Sequence, residues 1–306
     1  MKKIYTYILS LVASAVPFAA FGQALPFVAA DFNPASLSKG GASYADVSDV
    51  AYSAFDAPAS AAFYEGSMDV SAGFVSWQPT AVKTAVINAA GAYKIGESFG
   101  ISAGVSYGKN PQYDIIDAIG NVTGAFSPVQ MQLGAGFSWR IIPDLALGVN
   151  VGYAKSDLAE GVSYRSVLAD VQVMTDIDGL KVSAGVADLG SAVTSASGDK
   201  FSLPASFRVG ASYPFAFAQK QKLEMELDAG YYYFTGGFAA AVGVSYAFDD
   251  MVFVRAGYRY GGKSVIPSYA SVGAGVRFAG VKVDLAYVVS SSPMANTLGV
   301  SVGYSF

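Results

Sequence analysis

The chain has 306 residues, 53% of them hydrophobic, with 19 basic against 23 acidic side chains and a formal net charge of −4. That balance argues against nucleic acid as a partner, because phosphate binding needs clustered Lys and Arg. The sequence holds no Cys and no His, which removes disulfides, thiol nucleophiles, the usual zinc ligands and every Ser-His-Asp arrangement, so no enzyme, cofactor site or metal site is expected.

In chain order, Lys2 and Lys3 precede an apolar run from Ile4 to Ala20, and Ala20-Phe21-Gly22 fits a small-x-small cleavage site. Residues 1–22 are therefore predicted to be a secretory signal peptide. Residues 23–67 are not strand-like. They contain Asn33-Pro34, Gly40-Gly41 and an Ala-, Ser- and Asp-rich stretch from Ala42 to Ala62. This segment is expected to act as a plug, lying inside the remainder of the fold or across its periplasmic mouth. A disordered, clipped extension is the alternative.

Beyond it no segment offers the ~18 unbroken apolar residues that a spanning helix needs, so a chain this apolar must build a very large core or face lipid as a closed barrel. Alternation decides for the barrel. Phe99, Ile101, Ala103, Val105 and Tyr107 interleave with Gly and Ser, and Val129 to Arg140 does the same against Gln, Gly and Ser. The last nine residues alternate without a break, from Leu298 to the aromatic pair Tyr304 and Phe306. Such an aromatic end is the signal that barrel-assembly machinery reads in bacterial outer-membrane proteins.

Fourteen strands are predicted over residues 68–306, at roughly 68–77, 84–95, 99–109, 128–140, 144–154, 166–177 and 180–189, then 204–213, 221–234, 237–248, 252–260, 268–278, 281–289 and 297–306. The first has mixed parity, with Val70, Ala72 and Phe74 set against Val75 and Trp77. Short turns, including Asp178-Gly179 and Ala279-Gly280, alternate with longer connections at 110–127, 155–165, 190–203, 261–267 and 290–296, with one exception, the tight Thr235-Gly236 turn on the long-loop side. Pro214–Lys220 is predicted as a longer turn on the short side. Tyr107, Tyr153, Tyr231, Tyr233, Tyr258 and Tyr287 fall at one set of strand ends, and Tyr93, Trp139, Tyr213, Tyr246, Phe278, Tyr304 and Phe306 at the other. Two aromatic girdles suit a bilayer. The fold class is thus all-β, a 14-stranded antiparallel transmembrane barrel in the outer membrane with both termini periplasmic.

The inward parity carries the charges: Arg140, Arg208, Arg255, Arg259, Arg277 and Lys282 with Asp170, Glu224, Glu226, Asp228 and Asp284. Two readings stay open. These side chains pair with one another across the lumen and fill it, or they line a path for a ligand. Glu224, Glu226 and Asp228 share one face and are read as a lumenal cluster facing Arg255 or Arg259, not as an acid/base or calcium site. Gly257 to Ser264 matches the phosphate-loop pattern letter for letter, but the match starts inside a strand and no helix follows, so nucleotide binding is rejected.

Gly40-Gly41-Ala42, Asp46 to Ser53, Asp56-Ala57-Pro58-Ala59 and a first strand ending Ser76-Trp77-Gln78-Pro79 together resemble the start of PorV/PorQ-like proteins of Bacteroidota. Ile101–Tyr107 and Leu145–Leu158 extend the likeness, and Ala57 departs from it where that family places Asn. Those proteins are similar to the long-chain fatty-acid transporter (FadL-like) barrels, which have fourteen strands and an N-terminal plug. The resemblance implies a partner-binding role in type IX secretion and surface attachment, with a secretion translocon or exported proteins bearing a C-terminal sorting domain as partners. The alternative it implies is a passive channel for hydrophobic or small amphipathic molecules.

Overall fold

A computed structural model describes residues 22–195, 198–262, 266–290 and 294–306. The predicted signal peptide lies outside the described residues except for Gly22, as do Lys263 and Ser264 of the phosphate-loop match. No helix among the described residues is long and apolar enough to cross a membrane.

Fourteen antiparallel strands close into a barrel. The first seven are β1 (Met68–Trp77), β2 (Thr84–Ile95), β3 (Phe99–Lys109), β4 (Val129–Ile142), β5 (Leu145–Ala159), β6 (Val162–Ile177) and β7 (Leu180–Gly190). The other seven are β8 (Ser206–Ala218), β9 (Gln221–Tyr232), β10 (Gly237–Phe248), β11 (Val252–Tyr260), β12 (Tyr269–Phe278), β13 (Val281–Val289) and β14 (Leu298–Ser305). Closure is made by β14 on β1, from Leu298 opposite Ser76 to Ser305 opposite Asp69. Every strand therefore has two neighbours, which a bilayer demands of any sheet that crosses it. Along the short-turn end, Asp178-Gly179 and Ala279-Gly280 each take two consecutive left-handed conformations. This geometry matches the twist of the strands it joins.

The outward face is a band of exposed Val, Ile, Leu and Phe, with Tyr93, Trp139, Tyr213, Tyr304 and Phe306 at the short-turn end and Tyr107, Tyr231, Tyr258 and Tyr287 at the other. Three predicted boundaries move. The expected connection 155–165 is mostly ladder, since β5 and β6 pair from Asp157–Ser163 out to Ala159–Val162 around Gly161. The expected turn at Pro214–Lys220 is mostly strand: Pro214 lies opposite Glu224, and the outward rings of Phe215, Phe217 and Tyr246 pack at 6.3 Å spacings. Connection 110–127 contains its own antiparallel pair, Tyr113–Ile116 with Val122–Phe126.

The mixed parity of β1 has a structural reason. Val75 and Trp77 point inward with Asp69 and Ser71, and all four are buried. Val75 and Trp77 are apolar because the N-terminal segment, not water, covers them. Phe32 meets Trp77 edge-on at 5.3 Å, and Leu37, Val86, Ala286 and Val288 complete that cluster. Residues 24–63 run through the barrel as three short helical turns and irregular chain, including α1 (Pro34–Leu37), capped by Asn33. The core of the protein is the seam between this segment and the wall.

The described residues begin and end at opposite ends of the barrel. Gly22–Gln23 pairs in parallel with residues 201–202, in the connection between β7 and β8 at the long-loop end. Phe306 hydrogen-bonds to Met68 at the short-turn end. The segment is long enough to traverse the lumen, and its first apolar residues find their partners only at the far mouth.

Wall glycines make room for the segment. A Cβ on Gly257 would stand 2.0 Å from the Lys39 carbonyl carbon, and one on Gly148 would stand 2.2 Å from the Ala59 nitrogen. The Gly257→Val variant should keep a closed barrel, seen as unchanged heat-modifiable mobility in electrophoresis. It should also expel residues 39–40 at a cost of about 1–3 kcal/mol, read as a lower melting temperature and faster proteolysis within 23–67.

Candidate functional site

The interior is built from inward-facing wall charges and a segment that carries matching ones. Gly40 and Gly41 are both left-handed (φ 74° and 75°), and this turn sends the chain across β11 and β12. The Gly40 amide donates to the Ser271 hydroxyl at 2.9 Å. Just before the turn, Lys39 is directed at β9, where its Nζ lies 2.5 Å from Glu226 and 2.6 Å from Asp46. All three side chains are buried.

Further along, Asp49 and Asp69 of β1 both reach Lys282 of β13, at 2.6 and 2.5 Å. Asp69 also accepts the amides of Val50 and Ala51 at 3.0 and 3.1 Å. Asp228 accepts those of Ser43 and Tyr44 at 2.9 and 3.0 Å. Asp56 pairs with Arg208, whose guanidinium stands 4.5 Å from the Tyr44 ring centre. At Pro58-Ala59 a 3-10 turn begins, and the Ala59 amide donates to Gln172 at 2.9 Å.

The sequence-predicted lumenal residues all face inward, but most meet the segment and not one another. Arg255–Asp284, at 2.6 Å, is a buried pair made wholly by the wall. Arg277 donates to the Ser48 carbonyl, and Arg259 to the Tyr232 hydroxyl. Arg140 sits low in the barrel, bonded to the Pro143 carbonyl and 4.9 Å from the Phe63 ring. Asp170 accepts the amide of Asp188, a left-handed residue at a bulge in β7.

Glu224, Glu226 and Asp228 do not form the expected cluster facing Arg255 or Arg259. Glu226 is paired with Lys39, Asp228 caps segment amides, and Glu224 accepts from Ser212 at 3.0 Å. Carboxylate oxygens of Asp46, Glu224 and Glu226 lie within 4.8 Å of one another, a spacing that could hold a cation. The Lys39 ammonium already supplies that charge.

Lys39, Asp46, Asp49, Asp56 and Asp69 were not read from the sequence as charge partners, although Asp46, Asp49 and Asp56 lie in the motifs that carry the resemblance. One signal could have found them: isolated charges in an Ala- and Ser-rich segment, opposite a lumen rich in their counterions. Electrostatics tunes these groups in opposite directions. Burial raises the Asp31 carboxyl to about 6. Burial pushes Asp49 the same way, yet Lys282 and Arg277 outweigh it and hold its carboxyl below the ordinary range.

Between the segment and the wall lies a cavity of about 80 Å³, lined by Asp31, Asn88, Gln132, Asp188, Arg208 and Arg259 among others. Its lining mixes these groups with Val28, Phe32 and Phe55, and it has room for a few waters.

No protein-family model and no curated protein sequence matches the chain. Solved structures do. The toluene transporter TodX of Pseudomonas putida superposes with a TM-score of 0.64 at 12% identity, covering 94% of this chain and 99% of that one. The toluene transporter TbuX of Ralstonia pickettii gives 0.62 at 12% identity, with 90% and 97% covered. A FadL homologue of Pseudomonas aeruginosa gives 0.54 at 11% identity, with 90% and 98% covered. At these identities the likeness shows the fold alone, a closed 14-stranded antiparallel barrel, over 90–94% of this chain.

Two outcomes test the electrostatics. Lys39→Met leaves Glu226 and Asp46 buried without a cation, so it should cost about 3–5 kcal/mol, read as a loss of melting temperature. Combining it with Asp46→Asn and Glu226→Gln should recover most of that loss. Because the Asp31 carboxyl is raised, its burial penalty is present above about pH 6 and relieved as pH falls toward 4. The Asp31→Asn variant should therefore melt higher than the parent at neutral pH and lose that advantage by pH 4. The Asp49 contribution runs the other way, present at neutral pH and lost as pH falls below the ordinary carboxylate range.

Proposed function

We propose that the protein is a passive outer-membrane channel for hydrophobic or small amphipathic molecules, with residues 23–67 as its plug. The observation that carries this reading is the full-length match of a closed 14-stranded barrel to transporters of hydrophobic compounds, two of them for toluene. The internal segment adds to it. A barrel filled by its own chain conducts only when part of that chain moves, and mixed charge paired in place offers no continuous ring to select ions. The short-turn end, with Phe306, is assigned to the periplasm, and the longer connections to the outside.

A partner-binding role in type IX secretion, and membership of the PorV/PorQ-like proteins, rest on the resemblance of the segment and a few strand motifs alone. The neighbours support the channel over it. Whole-cell uptake of radiolabelled toluene and of a long-chain fatty acid checks the reading. Deleting the gene should slow uptake of at least one, and an uncoupler should leave the remaining difference intact, as expected of passive flux. Unchanged uptake of both, together with loss of surface-attached proteins, would replace the channel with the secretion role.

A further inference from the structure

Resting on the assignment of the longer connections to the outside, we propose that an apolar groove on the lipid face of β1, β2 and β3, with Lys83 and Lys109 above it, binds a phosphorylated, acylated lipid of the outer leaflet. The site lies on the outer surface of the barrel and takes no part in passage through it.

The groove follows from side-chain size in register. On the outward parity Ala72 stands opposite Ala89, and Gly91 opposite Ala103. The rows on either side are large and exposed: Phe74, Ile87 and Tyr107 toward the long-loop end, Tyr93 and Ile101 toward the short-turn end. Between them the small residues leave an open groove of about 730 Å³, bordered on the β14 side by Val302 and Tyr304. The ladders beneath it run from β14 to β3 without a register shift, so its floor is continuous sheet. In lipid the gain from filling such a groove is van der Waals contact. An acyl chain laid in it meets protein on three sides, where a convex wall offers one.

Charge identifies the kind of lipid. Lys109 continues the outward parity of β3 two residues beyond Tyr107, and Lys83 immediately precedes β2. The Thr84 hydroxyl donates to Asn110 at 2.6 Å, which holds the two strand ends, and with them the two lysines, side by side. Both lysines are exposed, and neither has an ion-pair partner among the described residues. Lys155 and Arg165, register partners on β5 and β6, extend the basic sector, with Asp157 paired to Lys155 at 2.8 Å. Asp114 and Asp117 lie out in the connection after β3, where Asp117 accepts the amides of Ile119 and Asn121. At the corresponding ends of β9, β11 and β13 the outward residues are Tyr231, Tyr258 and Tyr287. Lys109 stands four residues from Val105 in the groove, about 13 Å along the strand and within half of a ~30 Å hydrocarbon core. One lipid can therefore set a phosphate between the lysines and an acyl chain in the groove. A second barrel suits this face less well. Packed groove to groove about an axis normal to the membrane, it would leave the groove empty and bring the same lysines of both copies to one level.

The test uses the full-length protein in mild detergent, exchanged with defined lipid and read by native mass spectrometry. Monophosphoryl lipid A should be retained at one per barrel, and its dephosphorylated form should be lost. Lys83→Gln/Lys109→Gln should weaken retention about thirtyfold, since two headgroup-level lysines contribute about fivefold each. Ala89→Phe/Ala103→Phe, which fills the groove from the lipid side, should weaken it several-fold. Lys220→Gln/Lys222→Gln, at the opposite end of the barrel, should leave it unchanged. Equal retention of the two lipid forms, indifference to the Lys83 and Lys109 changes or to the filled groove, equal sensitivity to Lys220 and Lys222, or a dimer in place of bound lipid overturns the proposal.

Orientation is judged apart. The chain has no Cys, so Asn121→Cys, in the connection after β3, reports its own side of the membrane. It should react with a membrane-impermeant maleimide on intact cells. Reaction only after the outer membrane is broken sinks the orientation and the site together, whereas reaction on intact cells without lipid retention sinks the site alone.

Discussion

A strand that crosses lipid has no water to satisfy its amides, so the sheet must close, and the closure of β14 on β1 meets that requirement. The other features depend on it. Once the sheet is a cylinder, each strand has a lipid face and an inner face, and alternation becomes compulsory. Polar and charged side chains collect inside because a charge on the lipid face at mid-membrane costs a few kcal/mol. A fourteen-stranded cylinder is too wide for its own side chains to fill. The chain fills it instead with forty residues of itself.

That filling changes the role of the inner charges. In an open pore they would be solvated and tune selectivity. Here Lys282 is shared by Asp49 and Asp69, Glu226 is matched by Lys39, and Asp228 accepts two segment amides. Buried pairs of this kind contribute little net stability against an apolar replacement, yet breaking one is costly. They therefore act mainly to fix where the segment sits. Wall glycines such as Gly257 and Gly148 complete the fit by letting backbone approach backbone.

The segment is not held uniformly, and the difference follows from composition. Residues 39–56 carry four of the charges that dock it, and they meet the lower and middle wall. Residues 24–30 are uncharged and depend on apolar contact at the long-loop mouth. Local opening begins where buried contacts are few and polar ties are absent.

Much of this was legible in the sequence. Period-2 alternation located all fourteen strands, because lipid on one side and a lumen on the other enforce parity residue by residue. It also put Arg208, Arg255, Arg277, Lys282 and Asp284 on the inner face. Strand ends were less legible: Pro214 and the stretch 155–165 read as breaks, but pairing with the neighbouring strand overrode local preference. The inward Val75 and Trp77 looked like a fault in β1, since only contact with Phe32 and Leu37 explains apolar residues on a polar face. Partner choice was out of reach. That Glu226 meets Lys39, 187 residues away, and not Arg255 on a nearby strand is set by the path of the segment. Sequence alone determined the barrel, its inner face and the presence of an extra segment, because these follow from local periodicity in a two-solvent environment. Only tertiary structure decided that the segment traverses the lumen, begins at the far mouth and claims the wall charges. Those outcomes depend on long-range packing, which no local pattern encodes.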